Sequence, residues 1–168
     1  VDGSDTEAGE PAEEPYVKRG EVWQVGEHRI MCGDSTNGDD VATLMDGDRA
    51  DICFTSPPYA LGKSIRLSGN AAMSEKSSPY VGDDDASDEW PGMMSAWFDV
   101  AVDVAGAVLT NVQPLAGNKR DLMQWIADRR DRLVDVVVWD KGHAAPQMAA
   151  GVLASQYEWV VIMADPGA

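Results

Sequence analysis

The stretch Asp51-Ile-Cys-Phe-Thr-Ser-Pro-Pro-Tyr59 determines how the rest of the chain is interpreted. Its short apolar run is closed by two polar residues and two prolines, a pattern that predicts a buried strand with an abrupt end. Each proline fixes its own φ, donates no backbone hydrogen bond and holds the preceding residue in an extended conformation. We therefore expect Ser56, Pro57, Pro58 and Tyr59 to form a stiff loop at the carboxyl end of a strand, where ligands bind in open α/β sheets.

Strand-like and helix-like segments alternate on both sides of this stretch. Upstream, 21–25 and 28–32 predict a hairpin around Gly26-Glu27, and a short helix follows over Asp39 to Met45. Downstream we expect a helix over 89–105 started by Ser87 or Asp88 and ended by Gly106, a strand over 107–112, a helix from an Asn118 cap to about Leu133, and strands over 134–139 and 158–163. This alternation predicts an α/β fold, a doubly wound parallel sheet with helices on both faces. The last two strands lack a full helix between them, so they are candidates for antiparallel pairing.

The chain has 168 residues, which suits one domain, and its net charge of −16 is unevenly distributed. Residues 1–15 hold six acids and no base, and they predict a disordered acidic leader or the tail of an upstream linker. Five more acids lie in 83–89, at the end of a Gly-, Ser- and Asp-rich segment, 60–89, that predicts a long mobile loop. Without these two acidic stretches, 18 acids face 13 bases, which is a much milder excess of acid. The domain itself is expected over 16–168.

Several residue types are more simply structural than functional. Cys32 and Cys53 lie in apolar runs and are predicted to be small buried side chains, while His28 and His143 lack metal-ligand spacing, so no metal site is predicted. Trp125 and Trp139 are predicted core residues. No apolar run approaches the roughly 20 residues of a transmembrane helix, and no signal peptide pattern opens the sequence.

Three motifs in order resemble the DNA amino-methyltransferases, which methylate adenine N6 or cytosine N4. Thr55-Ser-Pro-Pro-Tyr59 is similar to their (Asp/Asn/Ser)-Pro-Pro-(Tyr/Phe) motif. The segment 23–35, ending in Gly33-Asp-Ser35, precedes it as in members whose catalytic half comes first, and 136–142 with 157–159 is similar to their Trp-Asp-Lys…Tyr-Glu region. The resemblance covers about 20–163 and implies a Rossmann-like methyltransferase sheet that uses S-adenosylmethionine.

The resemblance also assigns roles to the loop. The Ser56 hydroxyl and the Pro57 carbonyl would accept hydrogen bonds from the target amine, with Pro58 stiffening the loop, and Tyr59 would stack on the base. Such acceptors pull a flat amine toward tetrahedral geometry and take up its developing positive charge. The substrate would be double-stranded DNA with a flipped base. Ser-Pro-Pro-Tyr slightly favours cytosine N4 over adenine N6.

Candidates for cofactor binding are Asp34, Ser35 and Thr55. By resemblance Asp34 would hydrogen-bond the adenine edge of the cofactor; the alternative is a turn acid that caps the backbone of Asn37 and Gly38. The family's Phe-x-Gly-x-Gly cofactor turn is missing from this sequence. In the circularly permuted class that turn lies C-terminal to the catalytic half, so the chain resembles the catalytic half of a permuted enzyme and is expected to be inactive alone.

Lys63 and Arg66, in the predicted loop, are the candidates for DNA phosphate contacts. Asp140 and Lys141 would form a surface ion pair or approach DNA. The resemblance implies a restriction-modification enzyme in the cytoplasm of a prokaryotic cell or in its virus, with no membrane partner. Two other possibilities remain: a non-catalytic nucleic-acid- or partner-binding remnant of the fold, or an acidic α/β interaction domain in which the prolines form a plain turn.

Overall fold

The computed structural model describes residues 16–60, 89–115, 118–142 and 156–166. The predicted leader over 1–15 and nearly all of the predicted loop over 60–89 lie outside these ranges, as do Lys63 and Arg66. Nine elements follow one another: β1 (Val22–Val25), β2 (His28–Met31), α1 (Gly38–Met45), β3 (Ala50–Thr55), α2 (Trp90–Val104), β4 (Ala105–Val112), α3 (Lys119–Asp128), β5 (Leu133–Asp140) and β6 (Tyr157–Ala164). Within the described ranges, no helix has the length and apolar character to cross a membrane.

The predicted hairpin and short helix are confirmed. Strands β1 and β2 pair antiparallel, with Val25 opposite His28, and Gly26 takes the positive φ that this tight turn requires. Helix α1 begins after Asn37, whose side chain accepts a hydrogen bond from the Asp39 amide. The hairpin forms a small sheet of its own beside α1.

The main sheet has four strands in the order β3-β4-β6-β5. Strand β3 is parallel to β4, whereas β6 pairs antiparallel with both β4 and β5. The predicted antiparallel pairing of the last two strands is confirmed. The sheet is nevertheless mixed rather than fully parallel, because β6 inserts between β4 and β5 and reverses the direction at that position. The chain is thus an α/β protein with a mixed sheet, compatible with a Rossmann-like fold.

Helices α2 and α3 pack together on one face of the sheet. The core between them contains the α2 residues Trp90, Met94, Trp97, Phe98 and Ala101, the α3 residues Leu122 and Trp125, and the sheet residues Val108, Val112, Val161 and Met163. Its aromatic centre is edge-to-face, with the Phe98 and Trp125 ring centroids 5.3 Å apart. Trp125 is therefore the core residue that the sequence predicted.

The opposite face of the sheet is not covered by any helix of the described ranges, which corrects the expectation of helices on both faces. Ile52, Phe54, Val137 and Trp139 are exposed there. The expectation that β3 is buried and that Trp139 is a core residue is wrong, because these exposed side chains lie on the uncovered face and because, within the described ranges, β3 and β5 are the outer strands of the sheet. Cys32 is also exposed, at the end of the isolated hairpin, and both cysteines are free thiols.

Two predicted helix ends differ from the structure. Gly106 does not end α2; it lies within β4, and a Cβ there would sit 3.0 Å from the Asp51 carbonyl oxygen of β3. The glycine permits the close approach of two parallel strands. Helix α3 ends at Asp128 rather than near Leu133, which already belongs to β5, and a backbone turn over Arg129 to Arg132 connects them.

Candidate functional site

The strand directions bring distant segments to one edge of the main sheet. Strands β3, β4 and β5 all end at this edge, and β6 begins there, with Asp140 paired to Tyr157 and Val112 paired to Trp159. The Ser56–Tyr59 loop leaves β3 at the same edge. The topology therefore places the loop beside the ends of β4 and β5, which is the usual position of a ligand site in such sheets.

The backbone of the loop is fixed by two side chains from α2 and from the start of α3. The indole Nε1 of Trp90 donates to the Pro58 carbonyl at 2.7 Å, and Asn118 Nδ2 donates to the Tyr59 carbonyl at 2.6 Å. By contrast, across 16–60, 89–115, 118–142 and 156–166 no group donates to the carbonyl of Pro57, although Pro57 is buried. A backbone carbonyl is a strong hydrogen-bond acceptor, so this one is a candidate partner for an external donor.

Asn118 precedes α3 as predicted, but its side chain does not cap the helix. It is 1% exposed, accepts a hydrogen bond from the Leu115 amide at 2.8 Å, and donates to the carbonyls of Gln113 and Tyr59. Through these three hydrogen bonds, two to the segment after β4 and one to Tyr59, Asn118 connects the end of β4 with the Pro-Pro loop. Asn118 is thus a loop-fixing residue, which the sequence analysis missed.

Four polar side chains meet behind the loop: Ser56, Tyr59, Asn111 and Glu158, here called the polar cluster. The Tyr59 hydroxyl lies 3.0 Å from Ser56 Oγ, 2.9 Å from Asn111 Oδ1 and 3.3 Å from Glu158 Oε2. Asn111 and Glu158 come from β4 and β6, while Ser56 lies at the exposed mouth of the cluster. The sequence could have indicated both strand residues, because each is a polar residue within an apolar strand. A buried polar side chain at such a position needs a hydrogen-bond partner.

Lys141 completes the cluster from the end of β5. Its Nζ lies 2.6 Å from Glu158 Oε1, and the Glu158 side chain is almost fully buried while that of Lys141 is partly exposed. The predicted pairing of Lys141 with Asp140 is wrong, because Asp140 instead accepts a hydrogen bond from the Gly142 amide. The segment predicted around Asp140-Lys141 and the segment around Glu158 therefore meet at the loop.

The predicted cofactor residues are not brought together. Asp34 Oδ1 accepts hydrogen bonds from the amide and the hydroxyl of Thr36, which lower the pKa of the carboxyl, and Arg19 adds a weaker attraction. Asp34 is thus a turn acid, as in the predicted alternative, but the donors to its side chain belong to Thr36 rather than to the backbone of Asn37 and Gly38. Thr55 ends β3 opposite Thr110, and no hydrogen bond or ion pair in the described part of the chain links Asp34 or Ser35 to Thr55.

A small cavity lies beside the two upstream candidates. It measures about 140 Å³, and its lining includes Asp34, Ser35, Asp40 and Leu44. Sites for cofactor-sized ligands commonly enclose about 300–1,000 Å³. This cavity is therefore too small for a whole S-adenosylmethionine molecule. Among these same ranges, no group of three or more His, Cys, Asp or Glu side chains has the geometry to hold a metal ion.

A larger, open hollow lies near the carboxyl ends of α2 and α3, away from Trp90 and the loop. It measures about 540 Å³ and is lined in part by Asp99, Asp103 and Arg129. The Arg129 guanidinium lies over the rings of Phe98 and Trp125, 5.0 and 5.1 Å from their centroids. Partial burial lowers the pKa of Arg129, and Asp99 and Asp128 oppose that effect. These contacts give Arg129 a packing role, so the polar cluster and its loop are the better candidate site.

No protein-family model matches this sequence, and a search of curated proteins finds no match.

Proposed function

We propose that the chain is the catalytic half of a DNA amino-methyltransferase, in which the Ser56–Tyr59 loop holds the exocyclic amine of a flipped base. The observation that carries the proposal is that the carbonyl of Pro57 has no donor among the described residues and that the preceding residue, Ser56, is exposed. Two neighbouring acceptors suit an amine with two N–H bonds. The carbonyls of Pro58 and Tyr59 are already engaged, whereas those of Ser56 and Pro57 accept no hydrogen bond from the described residues, and the resemblance selects the Pro57 carbonyl.

The proposed chemistry requires only acceptors and a rigid frame from this chain. An exocyclic amine conjugated to its ring is flat and weakly nucleophilic, and hydrogen bonds to both N–H groups favour the tetrahedral form. Trp90 and Asn118 fix the loop backbone, so the acceptors keep their positions while charge develops. The substrate would be a base flipped out of the duplex, with cytosine N4 slightly favoured over adenine N6 as the methylated position.

The methyl donor of this proposal is S-adenosylmethionine. Because the cavity beside Asp34 and Ser35 is too small for it and this sequence lacks the family's Gly-rich turn, we assign its binding mainly to such a turn outside these 168 residues, with Asp34, Ser35 and Thr55 as the proposed contributions from this chain. Lys63 and Arg66 are the proposed phosphate contacts to double-stranded DNA.

The decisive experiment incubates the full-length gene product with S-adenosylmethionine and DNA of mixed sequence, followed by digestion and mass spectrometry of the nucleosides. We expect N4-methylcytosine or N6-methyladenine, and at least about a hundredfold loss of either in Ser56→Ala, the size of effect typical of removing one preorganised hydrogen-bonding group. The control is Ser95→Ala in α2, which we expect to change turnover far less because Ser95 belongs neither to the polar cluster nor to the proposed cofactor contacts. A folded wild-type protein that yields no methylated base would contradict the proposal.

A second candidate function is a nucleic-acid- or partner-binding remnant of the same fold. It is favoured by one observation: the cavity beside Asp34 and Ser35, at about 140 Å³, is too small for the cofactor. Calorimetry of the full-length protein separates the two candidates: saturable S-adenosylmethionine binding supports the enzyme, and DNA binding without cofactor binding supports the remnant.

A further inference from the structure

A buried carboxylate lies directly behind the proposed amine-binding loop. Glu158 is only 5% exposed, yet it faces the Tyr59 hydroxyl on one side and Lys141 on the other. Burying a carboxylate is costly, and Lys141 supplies the counter-charge that offsets part of the cost. An amine clamp made of a hydroxyl, a backbone carbonyl and an aromatic ring does not by itself require Glu158.

The hydrogen bonds of the polar cluster have a defined direction. Asn111 Nδ2 donates to the Trp159 carbonyl at 3.3 Å, so the amide oxygen of Asn111 faces Tyr59. An amide oxygen and a carboxylate only accept, so the single Tyr59 proton points toward Asn111 or Glu158. The Tyr59 oxygen is then an acceptor for the Ser56 hydroxyl, 3.0 Å away.

This direction determines what Ser56 presents to a ligand. A serine hydroxyl carries one donor and two acceptor lone pairs, and its proton rotates to suit its neighbours. Here both inward neighbours, the Tyr59 oxygen and Asn111 Oδ1 at 3.5 Å, draw the proton into the protein. The lone pairs of Ser56 therefore remain on its exposed side.

We propose that Glu158, held by Lys141 and acting through Tyr59, is a positioning residue that keeps the Ser56 hydroxyl oriented as a hydrogen-bond acceptor. The inference rests on the proposed function, since an amine that donates hydrogen bonds through both of its N–H groups needs acceptors and is repelled by a donor. Asn111 serves the same end from β4. Tyr59 thus has a second task beside stacking: its hydroxyl relays the orientation from Glu158 to Ser56.

The test is a kinetic double-mutant cycle in the full-length protein, with methylated nucleoside as the readout. Glu158→Gln replaces a carboxylate, which only accepts hydrogen bonds, by an amide that can also donate. The direction of the hydrogen bonds from Ser56 through Tyr59 is then no longer fixed. We expect kcat to fall by about tenfold, with KM for DNA changed by less than about twofold. In a Ser56→Ala background we expect Glu158→Gln to change kcat by less than about twofold, because the group it orients is gone.

Two further variants keep the test decisive. Tyr59→Phe retains the stacking ring but removes the relay hydroxyl, so it should show the same coupling to Ser56 even if Glu158→Gln folds poorly. Asp140→Asn is the matched control, because Asp140 lies one residue from Lys141 and bonds only the Gly142 amide among the described contacts. We expect its effect on kcat to be small and the same in both backgrounds.

The possible results separate the two proposals. Methylation by the wild type, with losses for Glu158→Gln and Tyr59→Phe that simply multiply with that of Ser56→Ala, overturns the positioning role and leaves the proposed function intact. A drop in melting temperature that accounts for the whole loss of activity also overturns it. If the folded wild type methylates no base, the proposed function fails first and the positioning role fails with it.

Discussion

Asn118 shows how a single buried amide positions the candidate site. Its side-chain oxygen accepts from the Leu115 amide after β4, and its nitrogen donates to the carbonyls of Gln113 and Tyr59. No other described side chain donates to the Tyr59 carbonyl. The loop gains rigidity from its prolines only along its own backbone. Asn118 and Trp90 provide the tertiary anchors that fix the loop relative to the sheet.

Removing the Asn118 amide should therefore be costly. We expect Asn118→Ala to lower the free energy of unfolding by about 2–4 kcal/mol, because it leaves a buried amide and buried carbonyls without partners. Chemical denaturation monitored by tryptophan fluorescence measures the change.

Asn37→Ala is the comparison variant for this prediction. It removes an exposed amide that caps α1, and we expect it to cost about 1 kcal/mol. Equal losses in the two variants would mean that the buried hydrogen bonds of Asn118 contribute no more than a surface cap.

At the scale of the elements, local signals predicted which segments are helices and strands. Pro57-Pro58 ends β3, the Gly26 turn joins β1 to β2, and the apolar spacing of α2 gave bounds within one residue of those observed. The burial of the strands was not predictable in the same way. The runs in β3 and β5 are as apolar as those of central strands, and only the strand order, set by long-range pairing, makes them edges.

The residues of the candidate site likewise fall into those predictable from local sequence and those set by long-range contacts. The Ser56–Tyr59 loop was predicted from its own residues, since prolines act locally. Asn111, Asn118 and Glu158 are 52, 59 and 99 residues from Tyr59, and their roles follow from contacts that no local pattern contains. Glu158 lies in the segment 157–159 that resembles the methyltransferases, but the sequence did not indicate its contacts with Tyr59 and Lys141.

Gly106 tests the pairing of β3 with β4. Because a Cβ would meet the Asp51 carbonyl oxygen at 3.0 Å, Gly106→Ala must shift one strand away from the other. We expect a loss of about 1–2 kcal/mol in the free energy of unfolding.

Gly92→Ala is the matched control within α2, where nothing lies within 4 Å of the added methyl group. Alanine favours the helix, so a gain of roughly 0.5–1 kcal/mol is expected. Thermal unfolding of both variants gives the comparison, and a stabilising Gly106→Ala would show that the strands are not in close contact there.

For the whole molecule, the most unusual feature is the apolar face opposite α2 and α3. Phe54 is 66% exposed and Trp139 51% exposed on this face. Exposed apolar patches favour association or cover by another segment. Since β3 and β5 are the outer strands of the sheet among the described residues, the same face is bordered by two potential pairing edges.

We expect Phe54→Ser to reduce self-association of the 168-residue chain while leaving its melting temperature nearly unchanged. The reason is that Phe54 contributes little buried area within the described residues. Sedimentation velocity over a concentration series measures association, and calorimetry measures stability. The buried Phe98→Ser should instead unfold the protein, and equal destabilisation by both variants would contradict the exposed position of Phe54.

The insertion of β6 between β4 and β5 also has a consequence for the order of folding. During synthesis β3, β4 and β5 emerge first, but β4 and β5 are not neighbours, so they have no pairing partner in common until β6 arrives. Contacts between Tyr59 and Glu158 span 99 residues, and closing such a loop is entropically slow. We therefore expect β6, the last described strand, to complete both the sheet and the polar cluster in a single late step. Until then, Ser56 after β3 and Lys141 after β5 lie on strands that are not yet paired in one sheet.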